Sequence, residues 1–490
     1  MVQSVGSEAK VIARHSAVYG LANILDRVVG FLMIPVYTRF LTPADYGVLE
    51  LIYMTINFIG MIVGLGIETA VSRFYFDYDN QKSRNKVIST AILGYGSMIL
   101  VILFLLLPFS EQMAKNILDS SDYAMFFVVA MIALALDMII HIAYVYLRVR
   151  QKSVLLMVFS ILRTVTALGL NIYFVVFAKK GVYGILLSTL ITNALFTIIL
   201  GLYTLSQVGL KTNYKLLIQM IKFGLPLIPS NISAYVVQAS DRYFIKHYAS
   251  MSLTGLYSLG YKFGILVNQF VTSPFIQIWY PRRFEYFKKE DSDRIYARIF
   301  TYFCALSLFV GLLISLLAKD VIRIMATELF WPSYKVVPII VLSYIVFSFH
   351  YHFNVGILMK KATKYVAYIN IINAILNLSL NYILIKRYDI WGAAFAVLIC
   401  YIFKVSLTYY FSNKFYKIHM EWKRVTLLFV TAFAMYFVIV HLQTGSIWIN
   451  MAIRGIWGCC YPFVLYIMRF FTEDELSKFK QIIKTRKLNL

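Results

Sequence analysis

Asp26 and Arg27 stand side by side inside an apolar stretch, residues 16–40, that ends in Arg39, Pro43 and Gly47. Other apolar stretches enclose charges in the same way. Asp137 and Arg163 fall near the middle of theirs, and Lys262 and Lys404 somewhat off centre. An acid or base at the middle of a bilayer costs roughly 2.5–3.5 kcal/mol, so six such residues facing lipid would cost on the order of 18 kcal/mol. They are therefore expected to face inward, onto a polar cavity with more bases than acids.

The elements that hold these residues must be membrane helices. The chain has 490 residues, 60% hydrophobic and only 14% charged, which is too few polar side chains to coat a soluble body of this size. Apolar runs of about 20 residues, the length of a helical span, recur throughout. They are continuous rather than alternating, which excludes a membrane barrel. About fourteen spans are read: 16–40, 46–70, 87–109, 123–147, 154–178, 182–205, 222–245, 252–280, 299–317, 334–358, 365–385, 390–411, 425–441 and 447–469. The expected fold is all-α and polytopic.

The net charge of +24 would suggest nucleic acid in a soluble protein. Here the lysines and arginines concentrate in the loops after even-numbered spans (Arg73, Lys82, Arg148, Arg150, Arg282, Arg283, Lys360, Lys361) and in the tail. That distribution is a topology signal, so both termini are expected in the cytoplasm and nucleic acid is not expected as a partner. Cys304, Cys400, Cys459 and Cys460 lie in apolar runs without metal or disulfide spacing. No cleavable signal is apparent, and the first span is expected to direct insertion.

Landmarks repeat. Gly47 in Tyr46-Gly47-Val48-Leu49 pairs with Gly255 in Thr254-Gly255-Leu256-Tyr257, and Gly184 pairs with Gly392, both at an offset of 208. Leu170-Asn171 matches Leu380-Asn381, and Arg148 and Arg150 match Lys360 and Lys361, at nearly the same offset. A six-helix unit present twice is expected, as parallel repeats. This divides the chain into 1–210, 211–415 and a two-helix appendage with a basic tail, 416–490.

TRFLTPADYG at 38–47 and ASDRYFIKHYASMSLTGLYSLGYKF at 239–263 resemble the first and seventh helix regions of the polysaccharide biosynthesis flippases, the Wzx-type branch of the MOP superfamily. The resemblance implies a MATE/MOP-like pair of bundles in a bacterial inner membrane. It also implies transfer of an undecaprenyl-pyrophosphate-linked oligosaccharide to the outer leaflet for O-antigen, capsule or exopolysaccharide assembly, with a polysaccharide polymerase and a chain-length regulator as partners. The arginine-rich lumen expected of lipid II flippases is not evident.

Within that frame Arg27, Arg163, Lys262 and Lys404 are candidate cavity ligands, because guanidinium and ammonium groups bind phosphate oxygens. Asp26 with Arg27 and Asp137 with Arg163 are equally readable as structural pairs. Asp26, Glu68, Asp137, Asp241 and Arg242 are candidates for ion coupling or gating, although Asp241-Arg242 near an outer span end also reads as an interfacial pair. Arg454 reads as a packing contact or a snorkelling residue rather than a substrate ligand. Gly224, Pro226 and Pro229 interrupt the seventh span, and the two prolines mark a candidate hinge.

Other chemistry is poorly supported. Asp77-Tyr78-Asp79 has no nucleotide-binding domain around it, and His350 and His352 point about 200° apart on a helix. No phosphate-binding GxxxxGK[ST] loop occurs. No metal, cofactor or catalytic activity is expected, and energy would come from an H+ or Na+ gradient or the substrate gradient. The alternatives are a MATE-like multidrug/cation antiporter and, as an enzyme, an integral glycosyltransferase or polysaccharide polymerase.

Overall fold

The computed structural model describes residues 30–287 and 289–477, so Asp26 and Arg27 lie outside the described residues. The described residues are helical, with no strand among them. Among the described residues, nine helices are long and apolar enough to cross a membrane. The protein is a multi-pass helical membrane protein.

Four of the expected spans are absent from those nine and two share one run, for identifiable reasons. The first lies mostly outside the described residues. The seventh, eighth and fourteenth are each broken: at Leu225–Leu227, between Gly264 and Ser273, and at Cys460. The eleventh and twelfth form one run, Lys364–Phe415, with non-helical backbone at Asp389. A side chain at Gly392 would strike the Leu384 carbonyl, and residues eight apart in a straight helix are about 12 Å apart. The chain therefore reverses at Asp389. Gly184 likewise abuts Phe174 at the end of the preceding helix.

The chain forms two compact units, Met1–Gly255 and Leu256–Leu490. In the first, α1 spans Ile34–Phe40, α2 Pro43–Val63, α3 Ile67–Phe76, α4 Gln81–Leu118, α5 Ala124–Val149, α6 Ser153–Ile172, α7 Gly181–Val208, α8 Tyr214–Gly224 and α9 Ile228–Tyr248. The start of α2 is written in TPAD. The Thr42 hydroxyl accepts from the Asp45 amide at 3.1 Å while the Asp45 carboxylate accepts from the Thr42 amide at 2.9 Å, and Pro43 occupies a first-turn position that needs no donor. Gly47 and Gly255, matched by the repeat, meet backbone to backbone. A side chain on Gly47 would enter the Met251 carbonyl, and one on Gly255 the Pro43 carbonyl.

The second unit contains α10 from Leu256 onward (helix Met251–Gly264), α11 Ser273–Tyr286, α12 Ser292–Met325, α13 Glu328–Met359, α14 Lys364–Phe415, α15 Trp422–Val440 and α16 Ile447–Cys459. Its interior is aromatic. Trp279 stacks on His352 at 4.7 Å between ring centres, with Tyr296 and Phe300 against the same imidazole. His352 is thus a packing residue. Arg454 on α16 pairs with Asp320 on α12 at 2.6 Å, both fully buried.

At one end of this unit Arg424 binds Glu421 and Glu475, each at 2.9 Å, and Tyr302 donates to Glu475, fastening the segment after α16 to α12 and α15. Burial pushes the Glu475 carboxyl up, but hydrogen bonds from Tyr302, the Thr472 amide and Arg424 outweigh it and hold the group below the ordinary glutamate range. A lowered carboxylate pKa stabilises the fold fully above its unfolded value, and the contribution fades as pH falls through the folded one. Hydrogen exchange should therefore show residues 472–477 protected at neutral pH and loosening in acid. Arg424→Gln should move that loosening to higher pH; an unmoved profile would show that Glu475 does not hold the segment.

Candidate polar site

On α5 the residues Asp137, His141 and Arg148 are spaced by four and seven, which places all three within about 40° on one helix face. Asp45-capped α2 stops at Val63. The backbone then turns left-handed at Leu65 and Gly66, and α3 restarts with Glu68 in its first turn. This restart aims Glu68 at that face of α5. Its carboxylate lies 3.1 Å from His141 Nδ1 and 3.5 Å from Arg148. His141 Nε2 lies 3.5 Å from Asp137, whose other oxygen accepts from Arg163 on α6. Arg163 also donates to Asn193 on α7 at 2.8 Å, and the Asn193 amide donates to the Ala133 carbonyl at 2.9 Å.

The result is a continuous string, Arg148, Glu68, His141, Asp137, Arg163 and Asn193, drawn from four helices. From Asp137 to Arg148 it runs about 16 Å along α5, half of a hydrocarbon core of about 30 Å. Side-chain exposure of 42% for His141, 46% for Glu68 and 32% for Asp137 separates this string from the dry Arg454–Asp320 pair at 3% and 1%. One polar chain can therefore exchange protons or bind an ion, and the other can only brace.

Sequence reasoning placed Glu68, Asp137 and Arg163 among the candidates, and the structure brings them together. It missed His141, Arg148 and Asn193. The spacing of Asp137, His141 and Arg148 was the available signal. Asp241 and Arg242, expected at an interfacial helix end, are buried on α9. Arg242 donates to Asp241 and to the Gln238 carbonyl at 2.7 Å each. Tyr235 and Tyr243 on α9 reach Met54 and Thr55 on α2, which seats the face that carries Arg242 against α2. Lys262 is half-buried on α10, and Lys404 lies on α14, both in the second unit.

Pro226 and Pro229 are exposed and flank a single tighter turn, Leu225–Leu227, between α8 and α9. Gly224, just before it, presses on Leu65 and Gly66, leaving no room for a side chain on either glycine. Two helix breaks, one on each of two neighbouring helices, thus touch backbone to backbone, two residues before Glu68. Asp77 and Asp79 are exposed in a loop, and no cluster of three or more metal-ligating side chains occurs among the described residues.

Residues 12–287, which include both of the stretches that carried the resemblance, match the model of the family described as polysaccharide biosynthesis protein. The chain belongs to the polysaccharide biosynthesis protein family. Relatives of this family member include Lsg locus putative protein 1 of Haemophilus influenzae, 25% identical over 261 residues, covering 52% of this chain and 62% of that protein. Another is the succinoglycan biosynthesis transport protein ExoT of Rhizobium meliloti, 24% identical over 259 residues, covering 51% and 49%. The matched region thus spans between about half and three fifths of the length of these relatives. Among solved structures, lipid II flippase MurJ in an inward closed conformation aligns with a TM-score of 0.74 at 15% identity, over 91% of this chain and 98% of that one. An inward-facing MATE multidrug transporter of the MOP superfamily aligns at 0.62 and 14%, over 83% and 96%. The family member shares the fold of both.

Proposed function

We propose that this member of the family is a flippase. It carries an undecaprenyl-pyrophosphate-linked oligosaccharide from the cytoplasmic to the outer leaflet of a bacterial inner membrane, for surface polysaccharide assembly, by alternating access. It works without catalysis or a bound cofactor, with both termini in the cytoplasm and a polymerase and chain-length regulator downstream. Its functional division is 1–210, 211–415 and 416–490, with fourteen spans. Family membership and the MurJ-like fold support this reading. The observation that carries it is the half-exposed string from Arg148 to Asn193: charges left open within membrane helices need water or a ligand beside them, not lipid.

In this reading Arg163, Lys262 and Lys404, with Arg27, meet the anionic headgroup. Glu68, Asp137 and His141 answer to an H+ or Na+ gradient, and Asp26, Asp241 and Arg242 take part in gating. The test is deletion and complementation. Cells lacking this chain should accumulate lipid-linked oligosaccharide on the cytoplasmic leaflet and regain export with the intact protein; unchanged export in the deletion strain sinks the reading.

The paired breaks at Gly66 and Gly224 are the proposed bending point. Pro226→Ala with Pro229→Ala lets one continuous helix form from Tyr214 onward and should cut export severalfold while surface-labelling shows the same amount of protein in the membrane. Full export from this variant would mean that the break only shapes packing.

A further inference from the structure

In the second unit a small cavity of about 100 Å³ opens among α11, α13 and α14. Lys404 reaches it from α14, its ammonium lying 5.0 Å above the Phe347 ring. Asn354 lines it from α13. Its carbonyl oxygen accepts from the Arg283 guanidinium at 3.1 Å, which leaves its amide N–H groups to point elsewhere. Arg283 is itself buried and lies over the Tyr280 ring at 4.3 Å, and Tyr280 lines the cavity. Asn370 and Tyr351 add further polar groups, and His350 closes the wall with Nδ1 against the Phe347 carbonyl. No carboxylate lines the cavity, and neither Lys404 nor Arg283 forms an ion pair among the described residues.

Two cations held in the low dielectric of a helix bundle, with amide and phenol donors and no acid, lack a counter-charge that a bound anion would supply. The cavity is small, about 100 Å³, with room for a few waters or a single phosphoryl group. We propose that this cavity receives one phosphoryl group of a lipid headgroup, with Lys404 and the Asn354 amide as direct ligands and Arg283 as the residue that positions Asn354.

This assignment rests on the flippase reading for the identity of the lipid, but its test does not depend on transport. The full chain in lipid nanodiscs is titrated with undecaprenyl phosphate, with undecaprenol and with inorganic phosphate, and binding is read by native mass spectrometry. Undecaprenyl phosphate should bind well ahead of undecaprenol. Lys404→Gln and Asn354→Ala should each weaken it about tenfold and severalfold respectively, with Lys404→Arg retaining most of the affinity. Arg283→Lys, which loses the guanidinium fork, should weaken it less than Lys404→Gln. Equal binding of the phosphorylated and unphosphorylated lipids, indifference to Lys404→Gln, or Lys404-dependent binding of inorganic phosphate alone each overturns the proposal. Normal glycan export in a strain lacking the chain would sink the transport reading and leave the binding result standing.

Discussion

Replacing Arg163 with alanine should reduce polysaccharide export by roughly ten- to a hundredfold, because its guanidinium makes hydrogen bonds to both Asp137 and Asn193, and bonds to charged groups are worth about 1.5–3 kcal/mol, where 1.4 kcal/mol is tenfold. Asp137→Asn should act in the same direction by removing the acceptor shared by Arg163 and His141. The charge-swapped pair, Asp137→Arg with Arg163→Asp, separates the two roles. If the pair only locks α5 to α6, the swap restores export. If Arg163 or Asp137 also acts in transport, through the substrate or through His141, the swap stays inactive although the protein inserts and melts like the parent. Export from the single alanine variant at the parental rate would remove Arg163 from the site.

Arg454→Met should destabilise the fold by about 3–5 kcal/mol, the cost of stranding a buried carboxylate. Asp320 is 1% exposed, its Oδ1 has no hydrogen-bond partner among the described residues, and Arg454 lies 2.6 Å from the other oxygen. Arg454 also donates to the Leu442 carbonyl, tying the turn after α15 to α16. The double variant Arg454→Met with Asp320→Leu should recover most of the loss, since well-packed apolar replacements of a buried pair are often neutral or stabilising. Thermal denaturation of purified protein, followed by tryptophan fluorescence, measures both. A single variant as stable as the parent would show that the pair braces nothing.

These two ion pairs show how differently similar residues are used. Both Arg163 and Arg454 are arginines in apolar helices. Arg163 sits at 23% exposure in a string with a half-open histidine, whereas Arg454 is sealed. The sequence reading of Arg454 as a packing residue agrees with its buried pairing. Asp241 and Arg242, which read as an interfacial pair, are sealed as well, at 0% and 2% exposure. On α9 the tyrosines Tyr235 and Tyr243 bind α2 and seat the face that carries Arg242 against it.

What the sequence alone determined is whatever depends on composition and on neighbours a few residues apart. Apolar runs of membrane length dictate helices, because an unpaired backbone group in hydrocarbon costs several kcal/mol. Thr42, Pro43 and Asp45 start α2 by local capping, and Gly224 with Pro226 and Pro229 break the helix before α9. What only the tertiary structure decided is which charges meet. Glu68 and His141 are 73 positions apart, and Arg454 and Asp320 are 134 apart. Helical periodicity fixes the face a residue occupies on its own helix, while the rotation and tilt of that helix are set by packing against its neighbours. Such distant pairs therefore exist only once the close backbone contacts at Gly47, Gly66, Gly224 and Gly255 have fixed how the helices sit.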